Sequence, residues 1–230
     1  MLKIETIKNE PVSSNCYIIS NDCNNTCVIV DPGTKDCKEL LNILQTKNFI
    51  PEFIILTHEH IDHTIGIEEL LKHYAAKIIC SMDCNNHINS LKYNLTGFTD
   101  KFEEKSNLPT ASNVFGEDNF LLEWGDFVFH FYKAQGHSMG SIFFNIGNNL
   151  FLGDTFIKGY KTITTLPGGS NEKLKTTLER ILSIFDKNII KVYSGHYDAY
   201  YLNEIEAEIK DQIEFLNIKI QKIQKNKNQI

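Results

Sequence analysis

The stretch FIILTHEHIDHTIG, residues 53–66, decides how the rest of the chain is read. Its first four residues are continuously apolar, as in a strand buried on both faces. The seven residues 58–64 then include three histidines, a glutamate and an aspartate. The HExxH pattern of helical zinc sites is not met, because position 62 is aspartate. Alternation instead places His58, His60 and Asp62 on one side of an extended segment. His63 falls at the turn into the next helix, and Glu59 points away. A buried imidazole or carboxylate without a partner costs free energy. Four such groups directly after a buried strand therefore read as metal ligands.

Three more candidates sit in similar places. His137 lies in GlnGlyHisSer, Asp154 in LeuGlyAspThr and His196 in SerGlyHisTyr. Each follows an expected strand and a glycine, which lets the backbone turn abruptly and present the next side chain. His73, His87 and His130 lack this setting, falling late in a helix, in an irregular stretch and mid-strand.

The flanking sequence suggests alternating elements. Strands are expected at 2–7, 16–20, 26–30, 53–56 and 77–81, with helices at 36–47 and 64–75. Residues 85–119 read as a long irregular excursion of the kind that forms lids and binding loops. Strands follow at 120–124, 127–133, 141–146, 149–152 and 189–193, with helices at 171–186 and 202–224. The last helix has a tail, rich in Lys, Asn and Gln, that is expected to fray. It covers its own sheet or forms a dimer seam, so monomer and homodimer both stay open.

The whole-chain properties bound the function. With 230 residues, 42% hydrophobic and 23% charged, the chain can bury a core without disulfide staples. Its net charge of −6 argues against nucleic acid as a partner. No apolar run reaches membrane-spanning length, and the start, MLKIETIKNEPVSSN, has no signal-peptide pattern. The expectation is a cytoplasmic chain with no membrane partner. Its six cysteines lack the spacing of a zinc knuckle and read as free thiols.

These residues resemble the metallo-β-lactamase superfamily, on its glyoxalase II-like branch. THEHIDHTIG is similar to that family's Thr-His-x-His-x-Asp-His-x-x-Gly signature. AsnCysTyr at 15–17, ValAspProGly at 30–33, GlyHisSerMetGly at 136–140, GlyAspThr at 153–155 and LeuProGlyGlySer at 166–170 match its other motifs. The resemblance implies an α/β fold of the four-layer αββα type, with two mixed β-sheets flanked by helices. That domain would span 1–200, with a helix at 201–230 belonging to it. It also implies two divalent metals, with zinc preferred over iron or manganese. His58, His60 and His137 would hold the first, Asp62, His63 and His196 the second, and Asp154 would bridge both. Asp62 would also orient a metal-activated hydroxide that cleaves a small-molecule ester or thioester. Two other functions stay open on the same scaffold: a mononuclear iron persulfide dioxygenase and a non-catalytic binding module.

Two departures bear on the substrate. The family's Gly-Arg-x-Asp element is replaced by Thr162-Ile163-Thr164-Thr165, which removes a buried Arg–Asp pair. The last histidine is followed by Tyr197-Asp198-Ala199-Tyr200, so that Tyr197 and Tyr200 either narrow the pocket mouth or pack. Only about 30 residues follow Tyr200, roughly one helix, and glutathione specificity is not supported.

Overall fold

Strand β4, Ile50–Ile55, is the centre from which the first sheet is built. It runs parallel to β3, Thr26–Val30, on one side and to β5, Lys77–Ser81, on the other. Strands β1, Leu2–Lys8, and β2, Asn15–Asn21, extend the sheet antiparallel beyond β3. A short strand β6, Asn113–Phe115, closes the far edge parallel to β5. The central strands are buried on both faces, which explains their nearly unbroken apolar sequence. One face, including Ile18, Ile29, Ile54 and Ile78, packs with Leu40, Leu44, Ile67 and Leu70 of the flanking helices. Those helices are α1, Lys38–Thr46, and α3, Ile67–His73.

The second sheet is also mixed. Strands β7, Phe120–Trp124, β8, Phe127–Lys133, β9, Ile142–Ile146, and β10, Asn149–Gly153, form an antiparallel meander. Strand β11, Lys191–Ser194, adds parallel to β10, and β12, Tyr200–Tyr201, pairs antiparallel with β11. Leu150, Leu152 and Val192 pack with two helices, α5, Asn171–Ile184, and α6, Leu202–Lys227. Ile205, Ile209 and Leu216 give α6 its buried stripe, so this helix covers its own sheet. The other face carries an aromatic stack, in which the Phe144 and Phe151 rings lie 4.7 Å apart and Phe151 and Tyr193 lie 4.9 Å apart.

This computed structural model describes residues 1–102, 107–116 and 118–227. Two compact units appear: Met1–Gly116 with Gly195–Tyr197, and Glu117–Ser194 with Asp198–Ile230. The first sheet lies in one and the second sheet in the other. The expected fold class, two mixed sheets with flanking helices, is what the chain adopts. No helix among the described residues is long and apolar enough to cross a membrane.

Several local expectations change. The helix expected over 64–75 forms only over Ile67–His73, as α3, and a separate single turn, α2, Ile61–Thr64, precedes it. At the break between them the Gly66 amide donates to the Pro32 carbonyl, 2.8 Å away. A Cβ on Gly66 would lie 2.5 Å from Cys37 Sγ and 2.6 Å from the Thr34 carbonyl, so the break is where the 32–34 turn packs closest. The 85–119 excursion is not wholly irregular. It takes in the end of helix α4, Met82–His87, a 3-10 turn at Thr96–Phe98 and strand β6; residues 103–106 and 117 of it lie outside the described residues. Helix α6 runs three residues past the expected end at 224, while residues 228–230 of the expected frayed tail lie outside the described residues. All six cysteines are free thiols, five of them buried.

Candidate metal centre

The ligand loop starts where β4 ends. The Leu56 amide still donates to Ile79 of β5, 3.0 Å away, after which the chain leaves the sheet. His60 caps α2 in an extended conformation, and Asp62 and His63 lie within the first turn. The expected continuous alternation through Asp62 is therefore wrong. The chain coils after His60, because the Ile61 amide is taken by the Asn94 carbonyl at 2.9 Å and the Ile65 amide by the Ile61 carbonyl at 3.0 Å. The coil still turns Asp62 and His63 together. Glu59 has no place among the grouped donors, yet its side chain is fully buried.

Within this unit the donor atoms converge. His58 Nε2 lies 3.0 Å from His60 Nδ1. Two nitrogens on one tetrahedral zinc, with bonds of about 2.05 Å, would lie roughly 3.3 Å apart. Asp62 Oδ2 lies 3.5 Å from His63 Nε2 and 3.7 Å from His196 Nε2. Asp62, His63 and His196 thus form one group whose ligand atoms are all within 4.8 Å of one another. In the other unit, His137 Nε2 lies 3.6 Å from Asp154 Oδ2. His137 sits in the turn between β8 and β9, and Asp154 directly after β10. Imidazoles and carboxylates at these edge lengths suit a divalent transition metal, so the residues present fit such ions.

The second hydrogen bond of each ring fixes which nitrogen can bind metal. His63 Nδ1 donates to Asp31 Oδ2 at 3.0 Å, His137 Nδ1 to the Ile163 carbonyl at 3.1 Å, and His196 Nδ1 to the Ser13 carbonyl at 3.0 Å. Thr57 Oγ1 donates to Asp31 Oδ2 at 2.6 Å, so it accepts from His58 Nδ1 at 3.0 Å. These four rings therefore offer Nε2. His60 turns Nδ1 toward His58 and is the exception.

Sequence reasoning missed Asp31 as a functional residue. It is buried, with φ of 51°, and its carboxylate accepts from the Thr57 amide, the Thr57 hydroxyl and His63. The signal was its place in ValAspProGly, where aspartate tolerates a left-handed conformation before a turn. Asn94 was also missed, and no local pattern marks it. The tyrosines separate into two roles. Tyr200 is buried and its hydroxyl meets Ser194, so it packs. Tyr197 is 53% exposed, and its carbonyl accepts from Lys8 and Asn15. His73 pairs with Glu69 on the surface, His87 Nδ1 donates to the Asp83 carbonyl of its own helix, and His130 stays within β8. None of these three joins a group of donors among the described residues.

The sequence profile of the metallo-beta-lactamase superfamily matches residues 9–196. A hydroxyacylglutathione hydrolase of Salmonella arizonae is 31% identical over 143 residues, which is 62% of this chain but 47% of that relative. The chain thus spans about half the length of that enzyme. The probable metallo-hydrolase YqgX of Bacillus subtilis is 27% identical over 210 residues, covering 90% of this chain and 94% of that one. Among solved structures, the BLEG-1 B3 metallo-beta-lactamase superposes with a TM-score of 0.81 at 23% identity, over 88% of this chain and 96% of that one. TTHA1623, solved in a di-iron-bound form, superposes with a TM-score of 0.69 at 23% identity, over 87% of this chain and 96% of that one. At these identities the two superpositions establish the fold.

Proposed function

The chain belongs to the metallo-β-lactamase superfamily, and from that premise we propose that it is a dinuclear metallo-hydrolase cleaving an ester or thioester bond of a small molecule. The observation that carries this reading is the Asp62–His63–His196 group, beside which His58 and His60 bring two ring nitrogens within 3.0 Å. We assign His58, His60 and His137 to one metal, Asp62, His63 and His196 to the other, and Asp154 to both. The assignment of His137 and Asp154 to the same pair of metals rests on their motif positions.

Divalent metals held there supply a water of lowered pKa and a Lewis acid for an acyl carbonyl oxygen. The chain's own part is positioning. Thr57, Asp31, Ile163 and Ser13 hold four imidazoles in the tautomer that keeps Nε2 available. Asp62, facing two of those nitrogens, orients the attacking water. A thiolate leaving group has a conjugate acid of pKa about 8.5 and departs without a strong general acid. Thioesters are therefore the substrate class that a site built on positioned imidazoles and carboxylates handles most readily. Zinc is the metal proposed, and the di-iron-bound relative makes iron the alternative.

The test is thiol release from S-lactoylglutathione and from simpler thioesters by zinc-loaded protein, before and after chelation. Turnover lost on chelation and regained with metal supports the proposal. Oxygen consumption with glutathione persulfide, one tightly held iron and no thiol release would replace it with the dioxygenase reading. Metal-dependent turnover of any substrate disposes of a binding module.

A further inference from the structure

Strand β1 ends at Lys8, whose ammonium is held in an unusual way. Its Nζ donates to Asn15 Oδ1 at 2.7 Å and to the Tyr197 carbonyl at 3.1 Å. Both acceptors are neutral, and among the described residues no carboxylate is paired with it. Lys3, on the same strand, is instead paired with Asp22.

The partners of Lys8 are themselves fixed. Asn15 is fully buried, and its amide nitrogen donates to Tyr17 Oη at 2.9 Å and to the Tyr197 carbonyl at 2.7 Å. The Asn15 backbone amide donates to the Gly195 carbonyl at 2.6 Å. Tyr197, with φ of 64°, directly follows the proposed ligand His196, which is tied to Ser13. The ammonium is therefore pinned to the turn that presents His196, while Lys8 itself remains exposed.

We propose that Lys8 is a substrate-recognition residue, binding a carboxylate that the ester or thioester carries away from the bond to be cleaved. This rests on the hydrolase reading of the same site and names a feature of its substrate. An ammonium has three donors, and two neutral acceptors leave one of them and the whole charge available. A lysine side chain carries about 2 kcal/mol of rotamer entropy. Here the two hydrogen bonds have already restricted it, so an arriving carboxylate meets a pre-organised cation at lower ordering cost. The contact is charge-assisted, though exposure to water keeps its gain modest.

The decisive pair of substrates is S-acetyl-N-acetylcysteine and S-acetyl-N-acetylcysteamine, which differ by one carboxylate. Metal-loaded wild-type protein should show a KM roughly three- to tenfold lower for the first, with similar kcat. Lys8→Met should erase that preference, with a larger loss on the carboxylate-bearing substrate than on the neutral one, and Lys8→Arg should restore it. Calorimetry with the two product thiols makes the same comparison without turnover. Discrimination between the thiols in the absence of turnover would remove these two thioesters as substrates and leave the role of Lys8 standing. No discrimination in either measurement would overturn that role. So would an equal loss on both substrates in Lys8→Met, which marks a purely structural pin.

Discussion

Asp31→Asn removes the carboxylate that orients the proposed ligand His63 directly and His58 through the Thr57 hydroxyl. Asparagine accepts a left-handed backbone at least as readily as aspartate, so φ of 51° should survive the change. The amide oxygen can still accept from the Thr57 amide, which aspartate does at 2.8 Å. The new NH2 group then faces the Thr57 hydroxyl and His63 Nδ1, where aspartate Oδ2 accepted at 2.6 and 3.0 Å. Either His63 keeps its Nδ1 proton and loses its acceptor, or the proton moves to Nε2 and blocks the metal-binding nitrogen. A charge-assisted hydrogen bond in a buried site is worth about 1.5–3 kcal/mol. Loss of such a partner typically weakens metal binding by about 10–100-fold. Competition against a chromophoric chelator should show the zinc equivalent assigned to His63 weakened by about that factor, and the one assigned to His58, which meets the change only through the Thr57 hydroxyl, weakened less. Two equivalents bound with wild-type affinity would refute the role given to Asp31. Equal weakening of both would show that the loop, rather than His63, had moved.

Asp154→Asn should lower both metal content and hydrolysis, the latter by at least about 100-fold, as read by elemental analysis and thiol release. His73→Ala and His130→Ala should leave metal content unchanged, and loss of a metal from either folded variant would show the ligand set to be wrong. Burial pushes the Cys27 and Cys37 thiols up from 9.0 to about 12. Between those values the unfolded chain has released protons that the folded chain retains, so stability should fall as pH rises. The slope is about 1.4 kcal/mol per pH unit for each thiol, and urea unfolding from pH 8 to 11 should be flatter in Cys27→Ala. An unchanged slope would contradict the assigned cause.

The strand ends were legible because they combine two independent signals. The run 53–56 is apolar on both faces, and polar donors follow it at once. His137, Asp154 and His196 repeat the pattern behind β8, β10 and β11. Those signals are local, and local sequence carries them. What could not be read was set by contacts distant in sequence. Asp31 reaches His63 across 32 residues, and Asn94 meets Ile61 from within an excursion that looked like a lid. The 85–96 part of that excursion instead props the ligand loop, with Asn94 and Thr96 buried. The helix break at Gly66 depends on the 32–34 turn packing against it, which periodicity does not record. Strand β12 has two residues and β6 three, too short for alternation to register.

The most direct test of the central claim is the rate of thioester hydrolysis measured while metal is added back stepwise to metal-free protein. The account predicts negligible thiol release without metal and a rise that levels off at two equivalents per chain. A plateau at one equivalent would contradict the dinuclear assignment. No thiol release from any thioester, at full occupancy of both sites, would contradict the hydrolase itself.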